Sequence, residues 1–571
     1  MTTSGGAARL VPKPVDDLEV APAVEAEPWP WPVREKKVCH QAFLAGSLMT
    51  LLLLAFFVLG RESASSAIDL AKLTAMNNGT AGTTNAPHRR DELLGGLLPA
   101  GMDQWACRSR YESWQYYKHF PYAASPYLQG KLRAYEARHR RCAPGTPLYA
   151  KSVEQLRSGR SAEGMECTYV VWLPFDGLGN RILSMLSGFL YALLTDRVLL
   201  AALPPDSADL FCEPFPGATW RLPVEDFPVA NLFGVGQDME QSYTRLVGGK
   251  VVGTATNATA AVTPSYVYLS LGYRLRDRIF FCGEHQRVLR KVNWLLLYSD
   301  LYFAPSLYEV AEFQDELGRL FPEKESVHHL MSRYLLHPAN PVWSLVIRYY
   351  RSYLAPATRR IGVQIRMYGH SSIPADDMYN QILNCSRQEH ILPETTNDDD
   401  KAVTPTAVTG GDGNGSNNSA AIFIASLYSD YYKRLRSRYS TPHVAKGGGA
   451  TRVSVFQRTH EERQATENLA HNQKALVEIY LLSFSEELVT SGLSTFGYVS
   501  SGLAGIQPAI LLTAFNHKVP ETPCRRAVSM EPCNLTPPRG LKCRDKGANE
   551  EDMARHIKVC EDFKDGVKFF D

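Results

Sequence analysis

The chain has 571 residues, 44% of them hydrophobic and 21% charged, enough for a sizeable core and two domains. Its formal net charge of +2 gives no reason to expect a nucleic-acid partner.

Residues 1–40 are rich in Pro, Ala and Glu and read as a disordered cytosolic tail. The segment from Phe43 to Gly60 carries no charge and reaches the roughly 18-residue lower range for a bilayer span. Arg34, Lys36 and Lys37 precede it, which keeps the N-terminus cytosolic. The long charged region ahead of the span is wrong for a cleaved signal peptide, so residues 41–60 are expected to be a signal anchor. Residues 61–90, polar and small, read as a flexible stem, and Asp91 to Leu98 opens the ordered region.

Eleven cysteines are present, and the ten after the apolar segment form an even set suited to disulfides in a secretory lumen. No C-x-x-C pair occurs, which weakens zinc and redox readings. Cys524, Cys533, Cys543 and Cys560 sit close together and are expected to staple the C-terminal tail. Sequons at Asn78, Asn257, Asn384, Asn414, Asn417 and Asn534 fit lumenal exposure.

The most informative stretch is Asp176-Gly177-Leu178-Gly179-Asn180-Arg181. Before it, Tyr169 to Leu173 is apolar enough for a buried strand. After it, Ile182, Leu183, Leu186, Phe189, Leu190 and Leu193 recur at helical spacing, and Arg197 to Ala201 is again strand-like. Strand, glycine turn, helix and strand form the unit that turns backbone N–H groups and a positive dipole end towards a phosphate. Here Arg181 would add a fixed charge.

A second such region runs from Arg360 to Thr513, interrupted by a low-complexity insert over 394–420. In Arg360 to Arg366, Ile361, Val363 and Ile365 share one strand face, which leaves Arg366 at the strand's carboxyl end. A guanidinium there can clamp a diphosphate, or can simply pair with a surface carboxylate. Ala421 to Tyr428 reads as a buried strand whose end brings Ser426 and Tyr428 near the same crevice. Leu488 to Ser491, the turn Ser494-Thr495-Phe496-Gly497 and Ala509 to Thr513 repeat the strand, loop, helix, strand pattern. Ser494 or Thr495 would cap that helix. The amphipathic tract from His471 to Tyr480 reads as scaffold.

Other motifs fail. Gly177-x-Gly179 lacks the third glycine of the dinucleotide fingerprint, and Gly248-Gly249-Lys250 lacks the rest of a P-loop. His460-Glu461-Glu462 has no second histidine, and Asp398-Asp399-Asp400 lies within the insert as a solvated acidic run.

These segments, in this order, resemble the plant xyloglucan α-1,2-fucosyltransferase family. The likeness covers Asp91 to Asp571 and includes Asp209 to Gly217, Leu320 to Lys324, Arg333 to Pro338, His471 to Leu476, Ser494 to Tyr498 and Val528 to Cys533. The resemblance implies a GT-B-like α/β fold: two Rossmann-type domains facing a cleft, preceded by a transmembrane helix and a stem. The domains would be 91–355, on the acceptor side, and 356–571, binding the donor. It implies a single-pass type II Golgi membrane enzyme with a lumenal catalytic part. That enzyme would move L-fucose from GDP-β-L-fucose to O-2 of a galactose on a wall polysaccharide or glycoprotein, with inversion and no bound metal. Gly177, Gly179, Asn180, Arg181, Arg366, Ser426, Tyr428, Ser494, Thr495, Phe496 and Gly497 would hold the donor, with Arg366 also stabilising the leaving group. Asp300 matches a Ser-Asp-x-Tyr-Phe string and would be base or acceptor contact, the alternative being a turn cap. A homodimer is one expectation for the oligomeric state. The rival from another class binds GDP-fucose without turnover. The chain departs from the family pattern at Gly492-Leu493, Pro508-Ala509 and Asn534-Leu535, losing aromatics beside the sugar site, and this is expected to bear on acceptor choice.

Overall fold

Long apolar runs rich in β-branched and aromatic residues build two mostly parallel sheets, as expected for strands buried on both faces. In the computed structural model the residues described are 91–230, 232–233, 240–249, 263–273, 277–367, 372–395, 419–440, 443–444, 450–514, 516–544 and 555–571. The expected anchor over 41–60, the stem, Asp398 to Asp400 and the sequons at Asn78, Asn257, Asn414 and Asn417 lie outside them. Among the described residues no helix is long and apolar enough to cross a membrane.

The first sheet contains β1 (Tyr169–Pro174), β2 (Val198–Ala201), β3 (Tyr266–Ser270) and β4 (Trp294–Ser299), in the order β2-β1-β4-β3, all parallel. Leu173 pairs with Tyr298 and Pro174 with Ser299, so β1 and β4 end level with each other. The second sheet contains β5 (Arg359–Ile365), β6 (Ser419–Ser426), β7 (His443–Val444), β8 (Ala450–Gln457), β9 (Glu487–Ser491), β10 (Ala509–Leu511) and β11 (Cys524–Arg526). Its order is β11-β10-β9-β5-β6-β8-β7, with antiparallel strands only at the two edges. From β5 the chain winds outward through β6 and β8, then returns to the other side of β5 as β9 and β10. That reversal opens a crevice beyond the carboxyl ends of β5 and β9, where open α/β sheets bind ligands.

Four helices join the sheets: α1 (Leu178–Leu194), α2 (Val327–Leu335), α3 (Leu469–Ser483) and α4 (Thr495–Ala504). Helix α1 is apolar nearly all round and is buried from Leu178 to Leu193 apart from Asn180, because it is packed on several sides at once. It contacts β1, α2 and α4, and α4 also packs on α3. Buried polar groups tie these helices together: Arg333 donates to Leu503 O at 3.1 Å, Tyr480 to Leu336 O at 2.6 Å, and Asn472 to Asp206 O at 3.1 Å. Both sheets therefore share one core, and all described residues fall in one compact unit.

Five disulfides use all ten cysteines after the N-terminal region: Cys107–Cys212, Cys142–Cys167, Cys282–Cys543, Cys385–Cys524 and Cys533–Cys560. Of the last four cysteines, only Cys533 and Cys560 pair with each other; Cys524 and Cys543 reach back into the body of the protein. Asn384 is exposed on the helix Ala375–Glu389, whereas Asn534 is buried and donates to Ser306 Oγ at 2.8 Å, so its sequon is closed to glycosylation. The insert is shorter than expected at its C-terminal end, because Ser419 and Ala420 already belong to β6.

Candidate active site

The carboxyl ends of β1, β4, β5, β6 and β9 open onto one cleft of about 480 Å3. Asp176 to Asn180 and Asp300 line it from the first sheet. Arg366, Ser426 and Ser494 to Phe496 line it from the second.

Two helix N-termini converge there. Gly177 is the N-cap of α1 and Ser494 that of α4, and neither supplies a side-chain cap. Ser494 or Thr495 is expected to cap α4, but Ser494 is the N-cap and makes no side-chain cap bond, so the first turns of both helices can offer N–H groups to an anion. The helices approach so closely that a Cβ at Gly179 would lie 2.5 Å from Thr495 Oγ1 and 3.0 Å from the Thr495 carbonyl carbon. Gly179 therefore serves helix packing.

Arg366 stands beside this convergence. Its backbone N–H donates to Ser491 Oγ at 2.8 Å, which fixes the strand end, and its Nη2 donates to Gln464 Oε1 at 2.6 Å. The Gln464 side chain also reaches the first sheet, with Nε2 2.8 Å from where a Cβ on Gly177 would be. Gln464 thus spans the gap in which a diphosphate could bridge Arg366 and the two helix ends.

Arg181 does not line the cleft, contrary to expectation. Its guanidinium is buried under the loop, donating to Asp176 O, Asp206 Oδ1 and Ser207 Oγ, each at 2.7 Å. It holds Asp176, at φ 63°, in a left-handed turn that aims the carboxylate outward to accept from Asn180 Nδ2 at 2.7 Å. Tyr428 is also absent from the lining: its N–H donates to Ser426 Oγ at 3.2 Å while its ring packs on the core of the second sheet. Gly497 is buried one step inside α4 and does not line the cleft either.

Asp300, only 8% exposed, sits on the opposite wall and accepts from the Tyr273 N–H at 2.7 Å. Burial pushes its carboxyl above the ordinary range, the Tyr273 N–H pulls it partly back, and Asp176 adds a further upward push. Tyr273, 59% exposed, lines the cleft beside it, while Phe175, 45% exposed, is not among the lining residues and packs its ring 4.7 Å from that of Tyr298.

The tract around α3 is a correction to the scaffold reading. His471, Asn472, Lys474, Ala475 and Glu478 all line the cleft, as do Glu461 and Gln464 from the segment before it. Glu461 accepts from Lys474 and His471, and its carboxyl is held low, first by the Lys474 hydrogen bond. Glu478 accepts from Thr459 Oγ1 at 2.5 Å, and burial pushes it up to about 7. The spacing of His471, Lys474 and Glu478 along one helix face was the available sequence signal; Gln464 had none. Leu535 and Phe563 of the tail also reach the cleft, beside Leu493. Two of the three departures from the family pattern therefore face the site. The third, Ala509, is a fully buried residue of β10.

The sequence profile of the xyloglucan fucosyltransferase family matches residues 65–544. The chain belongs to this family. Among its relatives, the galactoside 2-alpha-L-fucosyltransferase of Pisum sativum is 44% identical over 485 residues, covering 84% of this chain and 82% of the relative. Probable fucosyltransferase 8 of Arabidopsis thaliana is 42% identical over 501 residues, covering 86% and 93%. An arginine-to-lysine mutant of Arabidopsis thaliana FUT1 in complex with GDP superposes with a TM-score of 0.74 at 42% identity, covering 84% of this chain and all of that one. Membership in this family makes the protein a glycosyltransferase.

Proposed function

We propose that this fucosyltransferase moves L-fucose from GDP-β-L-fucose to O-2 of a galactose on a plant cell-wall glycan, with xyloglucan the first candidate. The new linkage is α-1,2. The observation that carries the reading is the meeting of Arg366 with the uncapped N-termini of α1 and α4 at the mouth of one cleft. A guanidinium and two positive helix ends together match a diphosphate leaving group. The GDP complex of the FUT1 relative supports the same donor.

In the reaction the bond between the fucose anomeric carbon and the β-phosphate oxygen breaks, and its electron pair stays on the diphosphate. The galactose hydroxyl attacks from the opposite face and gives its proton to Asp300, across the cleft from Arg366. The upward shift of Asp300 makes it a better base than a solvated carboxylate. Exposed Tyr273 beside it suits the apolar face of a pyranose ring and marks the acceptor entrance. In this reading the fold is a GT-B-like pair of Rossmann-type halves and the chemistry proceeds without a bound metal. The chain is a type II Golgi membrane protein anchored through 41–60, a homodimer being one expectation for its oligomeric state. Acceptors other than xyloglucan, such as arabinogalactan protein, stay open at the same site.

The deciding assay incubates the full chain in detergent with GDP-fucose, chelator and a panel of galactosylated wall glycans. Expected is fucosylated product with equimolar GDP, undiminished by chelator. Donor binding with no product on any acceptor overturns the enzymatic reading. The pH profile tests the base: kcat/KM should fall as pH drops through the raised Asp300 value, because the protonated carboxyl cannot accept a proton. Asp300→Asn should lower the rate by about 10²- to 10⁴-fold and erase that acid limb.

A further inference from the structure

We infer that the segment from Arg458 to Asn468 is a latch across the cleft, in which Gln464 competes with the diphosphate for Arg366 and must swing aside before the donor seats. The inference rests on the donor reading above and deepens it, by naming what controls entry to that site.

The segment joins β8 to α3 with no helix or strand of its own. Its ends are fastened. Thr459 Oγ1 donates to the buried Glu478 carboxylate at 2.5 Å, and the Glu462 N–H donates to Leu427 O at 2.8 Å, just beyond the end of β6. At the other end Asn468 caps α3 by accepting from the His471 N–H at 3.1 Å, and Asn472 Nδ2 donates to Thr466 O at 2.7 Å. Between these fastenings Arg463, Gln464 and Ala465 are exposed, and Glu462 holds a left-handed φ of 58°. Segments that move at binding sites are drawn from such exposed, thinly packed backbone, and strained residues gather where chains switch.

Gln464 is the part of the latch that matters to the ligand. Its Oε1 accepts from Arg366 Nη2 at 2.6 Å, and its Nε2 lies 2.8 Å from where a Cβ on Gly177 would be. Glycine at 177 thus leaves room for this side chain, which fills the space between the guanidinium and the start of α1. The donor reading gives that space to the diphosphate, and both cannot occupy it. A charged, bidentate phosphate contact outcompetes one neutral amide oxygen, so the donor displaces the glutamine and loses only part of its affinity. That part is set by the fraction of molecules in which the Gln464–Arg366 bond is open. For one hydrogen bond to a charged donor at an exposed rim, the loss is about fivefold.

Calorimetric titration of GDP into the full chain in detergent tests the latch. Gln464→Ala removes the competitor and should tighten GDP about fivefold. Gln464→Glu keeps the size, pairs with Arg366 as an ion and repels the diphosphate, so it should weaken GDP by about tenfold. A glutamine that merely supported the segment would lose affinity in both variants. In an Arg366→Ala background the gain from Gln464→Ala should vanish, because the glutamine acts through that guanidinium. Unchanged or weaker GDP binding in Gln464→Ala, or a gain that persists without Arg366, overturns the latch and leaves the donor reading standing. Failure of the wild type to bind GDP overturns the donor reading, and the latch with it.

Discussion

The loops that follow β1 and β5 look alike in sequence and do opposite things. Each ends a buried parallel strand, each opens onto the cleft, and each carries an arginine near the turn. After β1 the chain enters α1 at once, and the helix carries Arg181 beneath its own loop, where Asp206 and the Asp176 carbonyl consume the guanidinium. After β5 the next helix among the described residues begins at Ala375, and Arg366 stays at the strand end, its side chain reaching Gln464 in the cleft. An arginine at a strand–helix junction therefore acts on the loop when the helix turns it inward, and on the ligand when the strand leaves it at the rim.

The largest test of this contrast is Arg366→Ala. Removing a charge that meets developing negative charge on a phosphate costs on the order of 10³- to 10⁴-fold in kcat. Stability should change far less than activity, because the Arg366–Gln464 hydrogen bond lies on the exposed cleft surface. Arg366→Lys should recover only part of the activity, since an ammonium cannot clamp two oxygens as a planar fork does. Steady-state turnover and a thermal melt on the same preparations read both quantities. Loss of fold with normal turnover per folded molecule would erase the distinction.

Arg181→Ala should show the reverse. Both partners of the Arg181–Asp206 pair are only 8% exposed, so the substitution strands a buried carboxylate and should lower unfolding free energy by about 3–5 kcal/mol. The molecules that remain folded should bind GDP more nearly normally than Arg366→Ala does. Chemical denaturation and calorimetric GDP titration provide the two measurements. Full stability with abolished GDP binding would place Arg181 on the ligand after all.

How far the sequence could show this depends on the range of the contacts. The alternation of strand and helix was legible, because strands buried on both faces are continuous apolar runs such as Tyr169 to Leu173 and Ala421 to Ala425. The loops at their carboxyl ends followed from that, and with them Gly177, Asn180, Arg366, Ser426 and Thr495 as cleft residues, whereas Asp300 was reached only through the family resemblance. What a side chain does inside the loop was not legible. Arg181 turns inward because of Asp206, 25 residues on, and Gln464 meets Arg366 from 98 residues away. The amphipathic tract of α3 read as scaffold because periodicity reports only that a face is polar, and a polar cleft and water give the same pattern. The cysteine count announced disulfides, yet Cys282–Cys543 spans 261 residues and no local spacing encodes that.

The smallest and most pointed test lies between the two loops, at Gly179→Ala. The added methyl would meet Thr495 Oγ1 at 2.5 Å and the Thr495 carbonyl carbon at 3.0 Å, and the second of these belongs to the backbone of α4 and cannot swing away. Relief requires the N-termini of α1 and α4 to move apart, an overpacking cost of about 1–3 kcal/mol. Because the two helix ends are read here as one anion site, the separation should weaken GDP binding by more than the same methyl would at a position facing only one sheet. Adding Thr495→Ala removes the Oγ1 clash and leaves the backbone contact, so the double variant should regain part of the stability and part of the affinity. Titration of GDP into the single and double variants decides the matter. Unchanged affinity in Gly179→Ala would mean that the diphosphate is held from the β5 and β9 side alone, and that the β1 loop completes the cleft without touching the donor.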